Sequence, residues 1–259
     1  MLLSCNNLCF AYADTPVLAG LSFSLREGEV VALLGPNGSG KSTLLRCLLG
    51  QLAATGDIAW DGRPLSQWIR RELARRIAYL AQAVTPNPAQ TVLDVLRMGR
   101  TPYLQAFGVE SAHDMDVVRE IAGSLDLSPL INRRIDELSG GQRQRVFLGR
   151  CLVQEPAVLL LDEPSTYLDL KHQVELGSLL RTLARQKKLA ILMASHDLNL
   201  AGQIADRLIV LSQGRIAADG VARDVLRPDL LQSVYGVPME AFESAGTIHV
   251  FPAIRPSIP

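Results

Sequence analysis

The 259-residue chain carries no net charge, with 26 lysines and arginines against 26 aspartates and glutamates. Bulk charge therefore gives no hold on nucleic acid, and none is expected as a partner. Local basic patches remain, where arginines cluster at 70–76 and 143–150. No apolar run reaches the roughly 18 residues of a membrane-spanning helix. The opening MLLSCNNLCF has no basic region and no long apolar stretch, which argues against a secretory leader. The four cysteines form no C-x-x-C pair, and no histidine stands at ligand spacing from them, so a metal site built on them is not expected. Cys5, Cys9, Cys47 and Cys151 read instead as buried small hydrophobes in a reducing compartment. Internal repeats and low-complexity segments are also missing.

Apolar residues, by contrast, are plentiful, at 48% with a mean hydropathy of +0.17. A well-filled α/β core explains this, and so would a surface that docks onto another protein; composition alone favours the core. The length fits one large domain or two small ones.

Three regions follow one another along the chain. Residues 2–34 alternate as strands, and EGEVVALL is a turn followed by a fully apolar strand. STLLRCLLG then has helical spacing and stops at Gly50. GDIAWDGRPL reads as a short strand with a turn, and WIRRELARRIAYLAQ as a helix running into a strand. Residues 84–150 are mostly helical, after a proline-rich entry. From 157 the rhythm of strand then helix returns, in AVLLLDEP, LKHQVELGSLLRTLARQKK, LAILMASHD and LNLAGQIADR, and RLIVLSQGRIAADG reads as a hairpin. Apolar strands alternating with helices predict a parallel sheet covered on both faces. The tail, 222–259, is proline-rich near its end and has no assigned role.

GPNGSGKST, residues 35–43, fits G-x-x-x-x-G-K-[ST] between an apolar strand and a helix. Gly35, Pro36, Asn37, Gly38, Ser39 and Gly40 would let backbone N–H groups close on a β-phosphate without Cβ clashes, at the positive end of the helix. Lys41 has no other lysine near it in sequence and reaches the β- and γ-phosphates. Ser42 can ligate Mg²⁺, with Thr43 beside it. The bound molecule is therefore read as a nucleotide, with Mg²⁺ beside it. VLLLDEP, 158–164, ends a second apolar strand in acids. Asp162 suits a Mg²⁺ site and Glu163 suits the polarisation of an attacking water. Alone, such a pair would as readily open a turn before proline.

LSGGQRQRV, 138–146, just upstream of that strand, resembles the ABC ATPases. Other pieces match in order. Tyr12 in FAY sits where the family stacks adenine, Gln82 in YLAQ matches the Q-loop glutamine, STYLD ends in the D-loop Asp169, and His196 in ASHD matches the switch histidine. Taken singly, Tyr12 is also a plausible strand aromatic, Gln82 a surface amide and His196 a core histidine. His113, His172 and His249 have no such match. The resemblance covers about residues 2–220. It implies a P-loop NTPase fold, a RecA-like core with an N-terminal antiparallel β-subdomain and an inserted α-helical subdomain. The lobes are placed at about 1–83 with 151–220, and 84–150, within an ATPase domain of 1–240 followed by an extension, 221–259. It implies catalytic roles for Glu163, His196 and Gln82, and Mg²⁺ ligation by Ser42, Gln82 and Asp162. It also implies that Ser139, Gly140, Gly141 and Gln142, with Asp169, complete the ATP site of a second copy in a head-to-tail dimer.

The stretch after Gln82, TPNPAQTVLDVLRMGRTPYLQAFG, lies where the family's transporters receive a helix of the membrane permease. It resembles the ATPases of ferric-siderophore importers, as do STYLDLKHQVEL, with Tyr167 in place of the usual alanine, and LLQSVYGVP. Importers of haem, cobalamin or metal oxyanions are the nearer alternatives. The resemblance implies ATP-driven import through permease subunits and a separate substrate-binding protein, at the cytoplasmic face of the inner membrane. A soluble ABC ATPase, such as that of iron–sulphur assembly, is the alternative of another class; DNA-repair members carry coiled-coil insertions and ribosome-associated members carry tandem domains, and this chain has neither.

Overall fold

The computed structural model describes residues 1–82, 87–104, 109–166 and 168–253. Tyr167 and parts of the stretch after Gln82 (83–86 and 105–108) lie outside the described residues. The chain divides into two compact units, 1–67 with 174–259, and 68–173.

The first unit opens with an antiparallel sheet. Strands β1 (Leu3–Tyr12) and β2 (Thr15–Leu25) form a hairpin, and β4 (Thr55–Trp60) and β5 (Arg63–Pro64) continue it in the order β2-β1-β4-β5. The unit also holds β3 (Val30–Leu34), β8 (Ala190–Ala194) and β9 (Arg207–Ser212), with β3 paired in parallel to both others. β10 (Arg215–Gly220) turns back antiparallel on β9, as the RLIVLSQGRIAADG hairpin predicts. All five residues of VVALL and all five of AILMA are buried. Continuous apolar strands of this kind are stable only when covered on both faces, and each buried Leu, Val or Ile contributes roughly 1.5–3 kcal/mol. Helices α1 (Lys41–Leu48), α6 (Leu170–Lys187) and α7 (Leu198–Ile204) follow β3, β7 and β8 in sequence. Leu44, Leu45 and Leu48 of α1 are buried, and the Trp60 indole donates to the Leu48 carbonyl at 3.0 Å, tying the end of α1 to β4.

The described part of the tail, 222–253, forms regular elements. After α8 (Ala222–Val225) comes α9 (Pro228–Tyr235), started by proline in its first turn and stopped at Gly236 with φ +73°. A hairpin of β11 (Met239–Ser244) and β12 (Thr247–Pro252) follows. The Asn199 side chain on α7 both donates to the Val250 carbonyl (2.9 Å) and accepts from the Val250 amide (2.8 Å).

The second unit is largely helical, as read for 84–150. It contains α2 (Arg70–Arg76), the parallel pair β6 (Ile77–Leu80) and β7 (Val158–Asp162), and helices α3 (Val92–Met98), α4 (Ala112–Ser124) and α5 (Gly140–Leu152). Thr91, Ser111 and Ser139 begin α3, α4 and α5 with capping boxes, closed by Asp94, Asp114 and Gln142. Each box satisfies donors that the first helical turn leaves unpaired. None of the described residues forms a helix long and apolar enough to cross a membrane.

Three cysteines are buried, as expected, and burial pushes their thiols up to about 12 for Cys5 (with Cys47 adding repulsion) and about 11 for Cys47 and Cys151, so all are inert at neutral pH. Cys9 departs from the reading and is only half-buried. The β1–β2 register slips between Leu8 and Cys9, which turns the thiol to accept from the Gly20 amide at 3.1 Å.

Candidate functional site

In the first unit the loop Gly35–Gly40 leaves the carboxyl end of β3 and runs straight into α1. Its backbone needs glycine for reasons that differ by position. Gly35 has φ +143°, and a Cβ there would lie 2.2 Å from the Leu211 carbonyl and 2.7 Å from Ser39 Oγ. Gly40 has φ +104°, and a Cβ would strike Leu18 Cδ2 at 2.7 Å. Around Gly38, with φ +80°, a Cβ would touch nothing, so only the dihedral demands glycine. Lys41 is buried and its ammonium donates to the carbonyls of Gly35 (2.7 Å) and Pro36 (3.2 Å). The ammonium is thus folded back over the loop that it would share with an anion. Ser39 Oγ is buried with no hydrogen-bond partner, an oxygen whose desolvation a ligand could offset. The first turn of α1 carries no acidic side chain to compete for its amides.

β8 lies beside β3 in parallel, with Leu33 opposite Ala194, so the segment after β8 leaves at the same end as the glycine loop. The Ser195 amide donates to the Leu33 carbonyl at 3.0 Å, and the exposed His196 comes next. Asp197 caps α7 by accepting from the Leu200 amide (2.9 Å). Tyr12, at the end of β1, is 46% exposed and packs edge-on against Phe10 at 4.8 Å, which leaves a ring face available for stacking. The phenol of Tyr235, at the end of α9, is pushed up to about 12 by burial, opposed by the Gly35 amide. The tail therefore brings this buried hydroxyl near the Gly35 amide, without a hydrogen bond between them.

The second unit gathers a different set. Asp162, at the end of β7, is buried and accepts from the Tyr79 hydroxyl at 3.2 Å. Glu163 follows at φ +50°, a left-handed conformation that costs a non-glycine residue about 1 kcal/mol or more and gathers at functional sites. Gln82, two residues past β6, donates to the Glu163 carboxylate at 2.7 Å, and Thr166 Oγ1 donates to it at 3.1 Å. Ser139 caps α5 by accepting from the Gln142 amide at 3.3 Å, while the Gln142 side chain accepts from the Ser139 amide at 3.0 Å. The hydroxyl therefore keeps its proton to donate elsewhere. Gly140 is exposed and Gly141 buried. Asp169 accepts from the His172 amide (3.0 Å) and pairs with the His172 ring at 2.6 Å; these bonds hold its carboxyl below the usual range. Gln144, which the sequence did not single out, donates to the Pro164 carbonyl at 2.7 Å and ties α5 to the Asp162–Glu163 turn.

The expected residues thus fall into two groups. Tyr12, the glycine loop through Thr43, and His196 belong to the first unit. Gln82, Ser139–Gln142, Asp162, Glu163 and Asp169 belong to the second. The hydroxyl of Ser42 and the carboxylate of Asp162 are hard oxygen donors, the kind Mg²⁺ prefers.

Replacing Gly35 by alanine tests the first group. The 2.2 Å clash is with backbone, which cannot swing aside. A strained loop of this kind costs roughly 1–3 kcal/mol, so ATP affinity is expected to fall about ten-fold with the fold retained. Titration with a fluorescent ATP analogue would check this; unchanged affinity would mean that the loop's shape does not govern binding.

Comparisons with known proteins show the family. The ABC transporter family matches residues 18–166. The hemin import ATP-binding protein HmuV of Nocardia farcinica is 42% identical over 88% of this chain and 78% of its own length. The ferric enterobactin transport ATP-binding protein FepC of Escherichia coli K12 is 36% identical over 96% of this chain and 93% of its own. A solved ABC transporter classed as of metal-chelate type, in an inward-facing conformation, superposes with a TM-score of 0.86 at 30% identity, covering 98% of both chains.

Proposed function

We propose, from the premise that this chain belongs to the ABC transporter family as one of its ATP-binding, ATP-hydrolysing subunits, that its ATPase energises uptake of an iron chelate through a membrane permease. The P-loop NTPase fold of the family fits the strand–glycine loop–helix arrangement described above. The observation that carries the mechanistic reading is the Gln82–Glu163 contact of 2.7 Å beside a buried Asp162.

In this reading the amides of Gly38–Ser42 and the Lys41 ammonium neutralise the phosphates, and Tyr12 stacks the base. Mg²⁺, when bound, would supply charge neutralisation, and Ser42, Gln82 and Asp162 would be its side-chain ligands. Glu163 orients and polarises water, and Gln82 fixes the carboxylate's orientation. His196 donates toward the γ-phosphate. Ser139–Gln142 and Asp169 act on the nucleotide of a second copy, so turnover belongs to a head-to-tail dimer whose closure ATP favours and hydrolysis releases. The lobes correspond to a RecA-like part and the helical part around 84–150. Permease subunits, a substrate-binding protein and the cytoplasmic face of the inner membrane complete the setting.

A ferric siderophore is the first reading of the cargo, supported by the nearly complete overlap with the enterobactin ATPase. Haem is the second, favoured by the higher identity to a hemin ATPase. Uptake by cells lacking this gene, complemented with the wild-type chain, tests both. Labelled ferric hydroxamate, ferric catecholate and haem form the panel. Accumulation of one ligand only in complemented cells is expected; no accumulation of any, with ATP hydrolysis intact, would remove iron chelates and haem as the cargo and leave the ATPase standing.

A further inference from the structure

The signature turn at the start of α5 contains a glycine whose need for glycine comes from one side chain. A Cβ on Gly141 would lie 2.6 Å from Cδ2 of His172 and 2.9 Å from its Cγ and Nε2. The imidazole therefore rests directly against the Gly141 backbone. The ring is held there from the other side, because its Nδ1 pairs with Asp169 Oδ1 at 2.6 Å and its backbone amide donates to the same oxygen at 3.0 Å. Solvent reaches the pair mainly from the carboxylate side, since the Asp169 side chain is 67% exposed and the ring 29%. Asp169, His172 and Gly141 form one unbroken contact within the second unit.

We propose that His172 is a positioning residue for ATP hydrolysis, which sets the spacing between the signature turn Ser139–Gln142 and the loop that carries Asp169. The inference rests on the head-to-tail dimer reading, in which both segments act on the partner's nucleotide and an error of about 1 Å in their spacing is costly. His172 is assigned neither to the phosphate loop nor to the water-polarising pair Gln82–Glu163, so its effect is expected on turnover and not on ATP capture. The glycine at 141 is needed to admit the ring, and the carboxylate at 169 is needed to orient it.

Three measurements on the purified full chain test this. His172→Ala is expected to lower kcat about ten-fold while ATP affinity stays within about two-fold of wild type. His172→Phe keeps a ring against Gly141 without the bond to Asp169, and its kcat should fall between the two. Gly141→Ala should lower the thermal midpoint by several degrees, and the double variant Gly141→Ala with His172→Ala should recover it, because the clash is gone. A kcat for His172→Ala within two-fold of wild type, or no recovery in the double variant, overturns the proposal. ATP-dependent dimerisation in a Glu163→Gln background, followed by size-exclusion chromatography, separates the two readings. If that dimer does not form, the dimer reading fails on its own, and the kcat of His172→Ala still decides the role of His172.

Discussion

Glu163→Gln is expected to slow ATP turnover by a factor of roughly 10² to 10⁴, the range for removal of a general base. ATP affinity should stay within about two-fold. The substitution changes little but proton affinity. An amide has nearly the shape of the carboxylate, and its oxygen can still accept from Gln82 (2.7 Å) and Thr166 (3.1 Å in the native chain). The backbone at φ +50° is set by the turn Glu163–Thr166, closed by the Thr166 hydroxyl on the Glu163 carbonyl at 3.2 Å, so the turn persists. The glycine loop and Lys41, which carry the phosphates, are untouched. Binding without hydrolysis should make the closed dimer accumulate with ATP. Steady-state phosphate release measures the first effect and size-exclusion chromatography with ATP the second. A loss smaller than ten-fold would remove Glu163 as the base and leave its strained backbone without the role assigned to it.

Much of this site is legible in the sequence because phosphate chemistry constrains neighbouring residues. Gly35, Gly40 and Lys41 are consecutive or nearly so, and their steric and electrostatic reasons are local ones. The apolar strands VVALL, VLLLD and AILMA read as buried for the same reason that they are buried. What failed to show is long-range. Gln144 looks like any helical amide until the Pro164 carbonyl stands beside it. Tyr235 lies in LLQSVYGVP, matched as a whole without a physical reason for any one residue, and the β11–β12 hairpin follows it; the groups they meet, Gly35 and Asn199, are distant in sequence. His172 had no spacing to recommend it, because its meaning depends on a glycine in a different helix. Arg100 lay inside GRTPY, a pattern matched as a whole without a physical reason for any one residue.

That arginine carries a large expected stability effect. Arg100→Leu should destabilise the helical unit by about 3–5 kcal/mol at neutral pH, the usual cost of removing one partner from a buried ion pair. The guanidinium is 2% exposed and its neighbours use it from several directions. Nε bonds Asp114 at 2.8 Å, and Nη1 bonds both the Val153 carbonyl and Glu155 at 2.6 Å. The group also stacks on Tyr103 at 3.8 Å. It thereby joins the end of α3 to the first turn of α4 and the last turn of α5. Leucine would fill most of the volume, so the loss is electrostatic: Asp114, with a side chain 5% exposed, would be left charged beside a carbonyl with no donor. The pH dependence identifies the cause. Burial raises the Asp114 carboxyl, but hydrogen bonds from the Ser111 hydroxyl and amide and from Arg100 outweigh it and hold it down to about 2, below its ordinary 3.8. A depressed acid contributes stability that is complete above its unfolded value and lost as pH falls through its folded one. In the wild-type chain about 2 kcal/mol should therefore disappear between pH 4 and 2. In Arg100→Leu the carboxyl protonates at higher pH and the unpaired charge vanishes with it, so the gap between variant and wild type should narrow on acidification. Hydrogen exchange of the α4 amides at pH 7 and near pH 4 reads this locally, without assuming that the two units unfold together. A gap that stays constant with pH would mean that lost packing, and not the stranded Asp114 charge, is what Arg100 prevents.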